Sequence, residues 1–275
     1  MFASNALAAR IEHAEARLTE SILKAVIASG SAARPLLERI GRGVAAYAGP
    51  SSPMNKMIGA GFDALPSSTR LDEIEAQFAE RGAPLQAEVS TLADPAFSSM
   101  LTGRGYALHN FENVSGRPVV DTDRNLADTD VRIDLMKAAG AEEWIDAAIT
   151  GFQHPDGKGV PPSELPPREI FETALRPWVR VEGFHRYCAW LDGKLAGIAT
   201  LRIDDGIAQL CGAATLPSFR RRGVQAALLR RRLADSAAVD CKIAVVTTQP
   251  GSTSQENVHR QGFALLYARA ILVKP

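Results

Sequence analysis

Across 275 residues, apolar side chains make up 46% and charged ones 23%, the balance of a globular protein with enough chain for one or two cores. Lys+Arg and Asp+Glu both total 31, so no global field favours nucleic acid, and no apolar run reaches the roughly 20 residues that would span a bilayer. The three cysteines, Cys188, Cys211 and Cys241, have neither metal-ligand nor redox spacing, and the charged amphipathic first residues lack the apolar block of a secretory signal, so a metal-free cytoplasmic protein is expected.

In chain order, Leu7, Ile11, Leu18, Ile22 and Val26 recur at helical spacing, and Gly30 and Pro35 close that helix. Two strands follow, over 43–49 and 55–62, the second weakened by its glycines. Leu71, Ile74 and Phe78 mark a second amphipathic helix, 84–90 alternates as a strand, and Asp94-Pro95 opens a third helix ending at Gly105. The run 106–114 returns as a strand, on which His109, Glu112 and Asn113 read as an outward polar face.

Residues 115–130 are polar and rich in Asp, which places a domain boundary among them, with domains over 1–125 and 126–275. A strand over 131–136 and a helix over 141–152 follow, the helix carrying Trp144, Ile145 and Ile149 on one face. The segment 153–168 has five prolines and two glycines and reads as a loop before a short helix, 168–175. Asp192-Gly193 and Asp205-Gly206 each suit a tight type I′ turn, which makes 185–215 a three-strand meander.

That meander runs into Leu216–Gly223, where Arg220, Arg221 and Arg222 precede a glycine and a helix pattern from Val224. A glycine-bearing loop that opens a helix leaves main-chain N–H groups unpaired at the positive end of the helix dipole, a setting for phosphate. A continuous apolar strand over 242–248, a helix capped at Thr253 with Glu256 three residues on, and a closing strand over 263–273 complete the chain.

The spacing R-x-x-G-x-x at 220–225, placed after a meander and before helix, parallel strand, helix and strand, resembles the GNAT acyltransferase superfamily over about 131–275. The resemblance implies an α/β fold, a mixed α+β sheet in which a strand meander leads into a phosphate-binding turn and a βαβ unit. It also implies acetyl-CoA, or another acyl-CoA, as co-substrate, and a primary amine of a small molecule or amino acid as acceptor. Residues carried over for the CoA moiety are Ala213, Ala214 and Thr215 on the strand before the loop, Arg220, Arg221, Arg222, Gly223, Val224, Gln225 and Ala226 in the loop and helix start, and Ser254 and Asn257 on the last helix. Gln225 departs from the small residue usual there. Two acid–base groups of the family are missing: Gln209 stands where a glutamate base is common, and Val258 where a tyrosine acid is common. His259, Glu182 and Tyr267 are the substitute candidates, with His185 close to Glu182 in the chain, while Cys211 reads as core.

The two halves also repeat each other at a constant offset of 157 residues: 85–111 lies over 242–268 without a gap. The same offset puts Asp63 over Arg220 and Pro66 over Gly223, so the first copy has lost the groups that suit a pyrophosphate. The expected architecture is therefore tandem, with a degenerate, shortened, structural or pocket-forming first domain and a catalytic second one, as monomer or homodimer. Missing acid and base leave a non-catalytic acyl-CoA-binding protein as the alternative, with no nucleic acid or membrane partner in either case.

Overall fold

The computed structural model describes residues 2–30, 33–125, 129–159 and 166–275, so residue 126, where the second domain was expected to begin, and 160–165 of the proline-rich loop lie outside the described residues. The chain forms two compact units. One holds 2–113 together with 266–275; the other holds 114–265.

The N-terminal unit opens with α1 (Asn5–Ala28), whose first turn is capped by the Ser4 hydroxyl on the Leu7 N–H. A hairpin follows, β1 (Leu36–Ile40) and β2 (Gly43–Tyr47), then β3 (Lys56–Ile58), α2 (Ser68–Ala79), β4 (Leu85–Ser90), α3 (Pro95–Gly103) and β5 (Ala107–Pro118), which belongs to this unit as far as Asn113. Strand β1 was not expected from the sequence, because LLERI has neither alternation nor an Asx-Gly turn. The expected strand over 55–62 is only three residues long, since Gly59 and Gly61 take positive φ of 78° and 90° and turn the chain away. The helices α2 and α3 bury Leu71, Ile74, Phe78, Phe97 and Leu101 against Tyr47, Ala87, Val89 and Leu272, while Ala16 of α1 packs on Val44 and Ile58.

The C-terminal unit adds β6 (Arg132–Leu135), α4 (Ala141–Gln153), α5 (Arg168–Leu175), β7 (Phe184–Leu191), β8 (Lys194–Asp204), β9 (Ile207–Gln209), β10 (Ala213–Thr215), α6 (Val224–Ala238), β11 (Ile243–Thr248) and α7 (Thr253–Arg260). Both Asp-Gly turns are present, with φ of 53° and 73° at Asp192 and Gly193 and of 50° and 71° at Asp205 and Gly206. Its strands run β11-β9-β8-β7-β6, with β10 hydrogen-bonded to β8. The β9–β11 pair is parallel and the meander antiparallel. Helix α6 buries Val224, Leu228 and Leu233 against Tyr187, Leu201 and Ala208. Helix α4 buries Trp144, Ile145 and Ile149 against Cys188, Ile198 and Ala214.

The last strand, β12 (Ala264–Lys274), begins in the C-terminal unit and pairs antiparallel with β4 of the N-terminal unit from Arg269 to Lys274. The division at 113/114 also precedes the boundary expected after residue 125. The reason is visible in the hydrogen bonds: Arg117 Nη1 donates to the Gln261 carbonyl at 2.9 Å and the Val119 N–H to the Lys242 carbonyl at 3.2 Å, both within the C-terminal unit. Between Thr253 and Glu256 the expected capping box is one residue late. Ser252 caps α7 through the Gln255 N–H, and the Gln255 side chain accepts from the Gly251 N–H.

The N-terminal unit holds a buried ionic network. Glu12 Oε1 accepts from Arg269 Nε at 2.8 Å and from the Tyr267 hydroxyl at 2.7 Å, and Glu88 accepts from Lys56 at 2.8 Å. Glu12, Glu88 and Arg269 are each at most 3% exposed, so these charges compensate one another out of water and removing one is costly. Glu112, read from sequence as outward-facing, is half-buried with Oε2 3.6 Å from Arg269 Nη1, and burial beside Glu88 pushes its carboxyl up to about 7.

Candidate active site

The site is organised by a break in the third strand of the meander. The Thr200 N–H of β8 is shared between the carbonyls of Cys211 (3.2 Å) and Gly212 (3.0 Å), and Gly212 has a φ of 37°. Two residues against one make a bulge, which bends the chain. Before it, β9 pairs with β11 as far as the Leu210 N–H on the Val245 carbonyl at 2.9 Å. After it, β10 leaves β11 and stays on β8, with Ala213 opposite Ala199 and Thr215 opposite Gly197.

This register determines which main-chain groups are available. Thr200 N–H bonds Gly212 and Leu216 N–H bonds Ala196, at 2.9 Å, so alternate residues 212, 214 and 216 face β8. Ala213 and Thr215 therefore point their N–H and C=O groups to the other edge, where no strand lies among the described residues. Both strands flanking that opening end in a threonine, the half-buried Thr215 and the buried Thr248, whose buried hydroxyl has no hydrogen-bond partner among the described residues.

Two close approaches hold β10 in place. A Cβ on Gly151 of α4 would lie 2.3 Å from Ala214 Cβ, and one on Gly197 of β8 would lie 2.8 Å from the Ala214 carbonyl oxygen and 2.9 Å from Val224 Cγ1. Only glycine permits these contacts, and neither position was singled out in the sequence. Beside the bulge, a Cβ on Gly212 would meet the Trp178 ring at 3.5 Å and the Phe152 ring at 3.9 Å, so aromatic side chains border this end of the strand.

The loop that follows contains a short 3-10 turn, Pro217–Phe219, then Arg221 and Gly223 with left-handed φ of 60° and 80°. Gly223 is the N-cap of α6 and supplies no side-chain cap, while the first helical bond runs from the Ala227 N–H to the Gly223 carbonyl at 3.0 Å. The N–H groups of Val224, Gln225 and Ala226 thus have no intrahelical acceptor, at the positive end of a 15-residue helix. Val224 is 1% exposed and anchors the helix in the core, which leaves Gln225 and Ala226 half-buried beside it.

The arginines divide their work. Arg220 donates to the His154 carbonyl, and Arg222 pairs with Asp192 at 2.7 Å and lies over the Phe219 ring. Arg221 is exposed. The later cluster is structural: Arg231 bonds Asp235, and Arg232, 1% exposed, donates to the Leu228 carbonyl and to the carbonyl of Thr200, the β8 residue opposite the bulge. Burial lowers the Arg232 guanidinium to about 10.

On α7, Ser254 is exposed, Asn257 is half-buried and accepts from Arg260, and His259 is exposed in the last turn. Glu182 and His185 are exposed at the start of the meander. Tyr267 belongs to the N-terminal unit. Its hydroxyl donates to Glu12 at 2.7 Å, and burial raises its pKa well above the usual value. At the two positions where an acid and a base were missing, Gln209 is 1% exposed with its amide oxygen accepting from Arg202 at 2.5 Å, and Val258 is core. Cys211 is half-buried, its thiol against the Gln209 carbonyl at 3.4 Å. Among the described residues no group of three or more His, Cys, Asp or Glu side chains could hold a metal, and no helix is long and apolar enough to cross a membrane.

Residues 151–263, which contain the bulge, the loop and α7, match the family described as Acetyltransferase (GNAT) family. Three solved structures share the fold over nearly the whole chain. A GCN5-related N-acetyltransferase from Kribbella flavida is 17% identical over 94% of this chain and 95% of its own, with a TM-score of 0.64. A tandem GNAT protein from the clavulanic acid biosynthesis pathway is 11% identical over 94% of both chains, with a TM-score of 0.62. A conserved protein of unknown function from Staphylococcus epidermidis is 11% identical over 90% of this chain and 96% of its own, with a TM-score of 0.61. At such identities the likeness is one of fold, a two-domain GNAT fold. Comparison with curated protein sequences finds no match.

Proposed function

We propose, from the premise that residues 151–263 are a GNAT-family acetyltransferase domain, that the C-terminal unit transfers an acyl group, acetyl in the simplest case, from acyl-CoA to a primary amine on a small molecule. The observation that carries this reading is the coupled pair of open donors: the free edge of β10 and the uncapped start of α6. A pantetheine arm can extend β10 as an added strand through Ala213 and Thr215. A pyrophosphate suits the N–H groups of Val224, Gln225 and Ala226, with Gly223 leaving the approach clear of a Cβ. Arg221, Arg222, Ser254 and Asn257 border the remaining approach in this proposal.

The bound donor would supply an acyl carbon activated as a thioester. What the chain itself contributes is orientation: main-chain N–H donors beside the acyl oxygen, and an aromatic wall of Phe152 and Trp178 for the acceptor side. With Gln209 hydrogen-bonded in the core and Val258 buried, His259, Glu182 or His185 is left to accept the ammonium proton directly, or solvent carries it.

The N-terminal unit is the counter-example that supports the assignment. At the 157-residue offset, β3 corresponds to β10 and β4 to β11. There the two strands are zipped together, Lys56 opposite Gln86 and Ile58 opposite Glu88, where β10 and β11 diverge. Helix α2 is capped by the Ser67 hydroxyl on the Arg70 N–H, which occupies a donor that α6 leaves open. A non-catalytic acyl-CoA-binding role is the second reading, motivated by Gln209 and Val258. Thiol release from acetyl-CoA in the presence of pooled primary amines separates the two. Amine-dependent release supports transfer, and tight CoA binding with no release to any amine supports the binding protein.

A further inference from the structure

The N-terminal unit has a cavity of about 350 Å³ lined by Asn5, Ala6 and Ala9 of α1, by 61–63 after β3, and by 92–95 at the start of α3. Its walls are mostly apolar, with Phe62, Leu92, Ala93 and Pro95 joining the two alanines. None of the lining residues carries a positive charge, and two, Asp63 and Asp94, carry a negative one.

The loop bearing Phe62 and Asp63 is fixed by its surroundings. A Cβ on Gly59 would meet Ala16 and the Glu12 carbonyl at 2.9 Å, and one on Gly61 would meet Phe97 at 2.9 Å. The Asp94 N–H donates to the Gly61 carbonyl at 2.7 Å, tying the two sides of the cavity together. Asp63 Oδ2 accepts the Arg42 N–H at 3.3 Å, and Asp94 Oδ1 caps the Ala96 N–H at 2.9 Å, so each carboxylate is oriented by main chain.

His13, its side chain 2% exposed, packs edge-on against the Phe62 ring with centroids 6.2 Å apart. Its Nε2 is 3.4 Å from Asp63 Oδ2, and its Nδ1 has no hydrogen-bond partner among the described residues. Burial and the Arg42 charge hold His13 below its ordinary pKa, so near neutral pH it backs the Asp63 carboxylate without cancelling its charge.

The repeat gives this polarity a meaning. Asp63 stands at the offset of Arg220, so the same loop presents a carboxylate in one copy and a guanidinium in the other. We propose that this cavity is a second ligand site, independent of the acyl-CoA site, that takes a small organic cation: a primary ammonium held by Asp63 and Asp94, with its short apolar body on Phe62, Leu92 and the α1 alanines. Apolar walls with only two carboxylates suit an alkylammonium better than a hydrated divalent metal, which asks for several oxygen ligands.

The test uses the full chain and n-butylammonium as probe, followed by calorimetry and saturation-transfer NMR. Butylammonium is expected to bind in the millimolar range and the neutral n-butanol at least tenfold more weakly, which is about 1.4 kcal/mol. The double variant Asp63→Asn/Asp94→Asn should bind butylammonium at least tenfold more weakly at unchanged acetyl-CoA affinity. Asparagine keeps the α3 cap, so the fold is expected to survive. Should that variant unfold, Ala6→Leu, at an exposed helix position, fills the cavity instead and is expected to lower butylammonium affinity by the same factor. Undiminished butylammonium binding in the folded double variant or in Ala6→Leu, equal affinity for n-butanol, or displacement of butylammonium by equimolar Mg²⁺ overturns the proposal.

Discussion

The contact between Gly151 and Ala214 gives a prediction in which two effects have opposite signs. Alanine in the interior of α4 would ordinarily stabilise a helix by about 0.5–1 kcal/mol over glycine. Here the new Cβ would lie 2.3 Å from Ala214 Cβ, when carbon atoms prefer about 3.5–4.0 Å, so helix and strand must part by about an ångström or more. Overpacking of this kind costs about 1–3 kcal/mol, which outweighs the propensity gain. Gly151→Ala should therefore lower Tm, by about 2–8 °C for a unit of this size. It should also weaken acetyl-CoA binding, because Ala214 lies between the two residues that present β10's open edge. With Ala214→Gly added, the nearest remaining atoms are Ala214 Cα at 3.5 Å and its carbonyl carbon at 3.9 Å, an ordinary contact. The double variant should recover most of the loss, short of about 0.5–1 kcal/mol for a glycine in a strand. Thermal unfolding of the four proteins completes a cycle. A rise in Tm for Gly151→Ala, or no rescue in the double variant, would refute the reasoning.

Four more outcomes follow from the geometry. Calorimetry with CoA should give one site per chain, abolished by Gly223→Asp, which forces a side chain onto a φ of 80° and puts a carboxylate at the anion site; two equivalent sites would count against the asymmetric assignment. His259→Ala, Glu182→Gln and His185→Ala should each reduce turnover less than about tenfold, a barrier change under about 1.4 kcal/mol, whereas a thousandfold loss in one at unchanged CoA affinity would name a base. Glu112 has a folded pKa of about 7, above its ordinary 4.5, so the folded state holds that proton more tightly and loses stability as pH rises between the two values; Glu112→Gln should flatten this fall in Tm, and an identical pH profile in both proteins would contradict it. A fragment of residues 126–275 should not unfold cooperatively throughout, because 266–275 pair with β4 of the missing unit; a single sharp transition and full activity in that fragment would exclude a role for residues 1–125.

Much of the C-terminal unit was legible in the sequence because its punctuation is chemical. Asp192-Gly193 and Asp205-Gly206 accept positive φ at both turn positions, and Gly223 closes the arginine loop on a left-handed conformation. What escaped was determined by packing across the sheet. IAQLCGAAT reads as one continuous strand, and only the shared Thr200 N–H reveals that it splits at Gly212 into two strands, both on β8 but only the first also on β11. Gly151 and Gly197 look like indifferent small residues until the atoms facing them are known. The run 263–273 was correctly read as a strand, yet nothing in FALLYARAILV says that it pairs with residues 85–90. Tyr267 was attractive by its place in the chain, and nothing in the sequence says that its hydroxyl donates to the buried Glu12, 255 residues away.

That last strand has a consequence for synthesis. The residues of the C-terminal unit are all made by position 265, whereas the N-terminal unit waits for 266–275. At about 5–20 residues per second, ribosomal elongation from 113 to 269 takes about 8–30 seconds. Throughout that interval Glu12 has been translated but Arg269, which donates to it at 2.8 Å, has not, so the nascent N-terminal segment cannot bury that carboxylate at low cost. The half translated second is thus the first that can complete its fold, and the half translated first must be kept from aggregating until the chain returns to it.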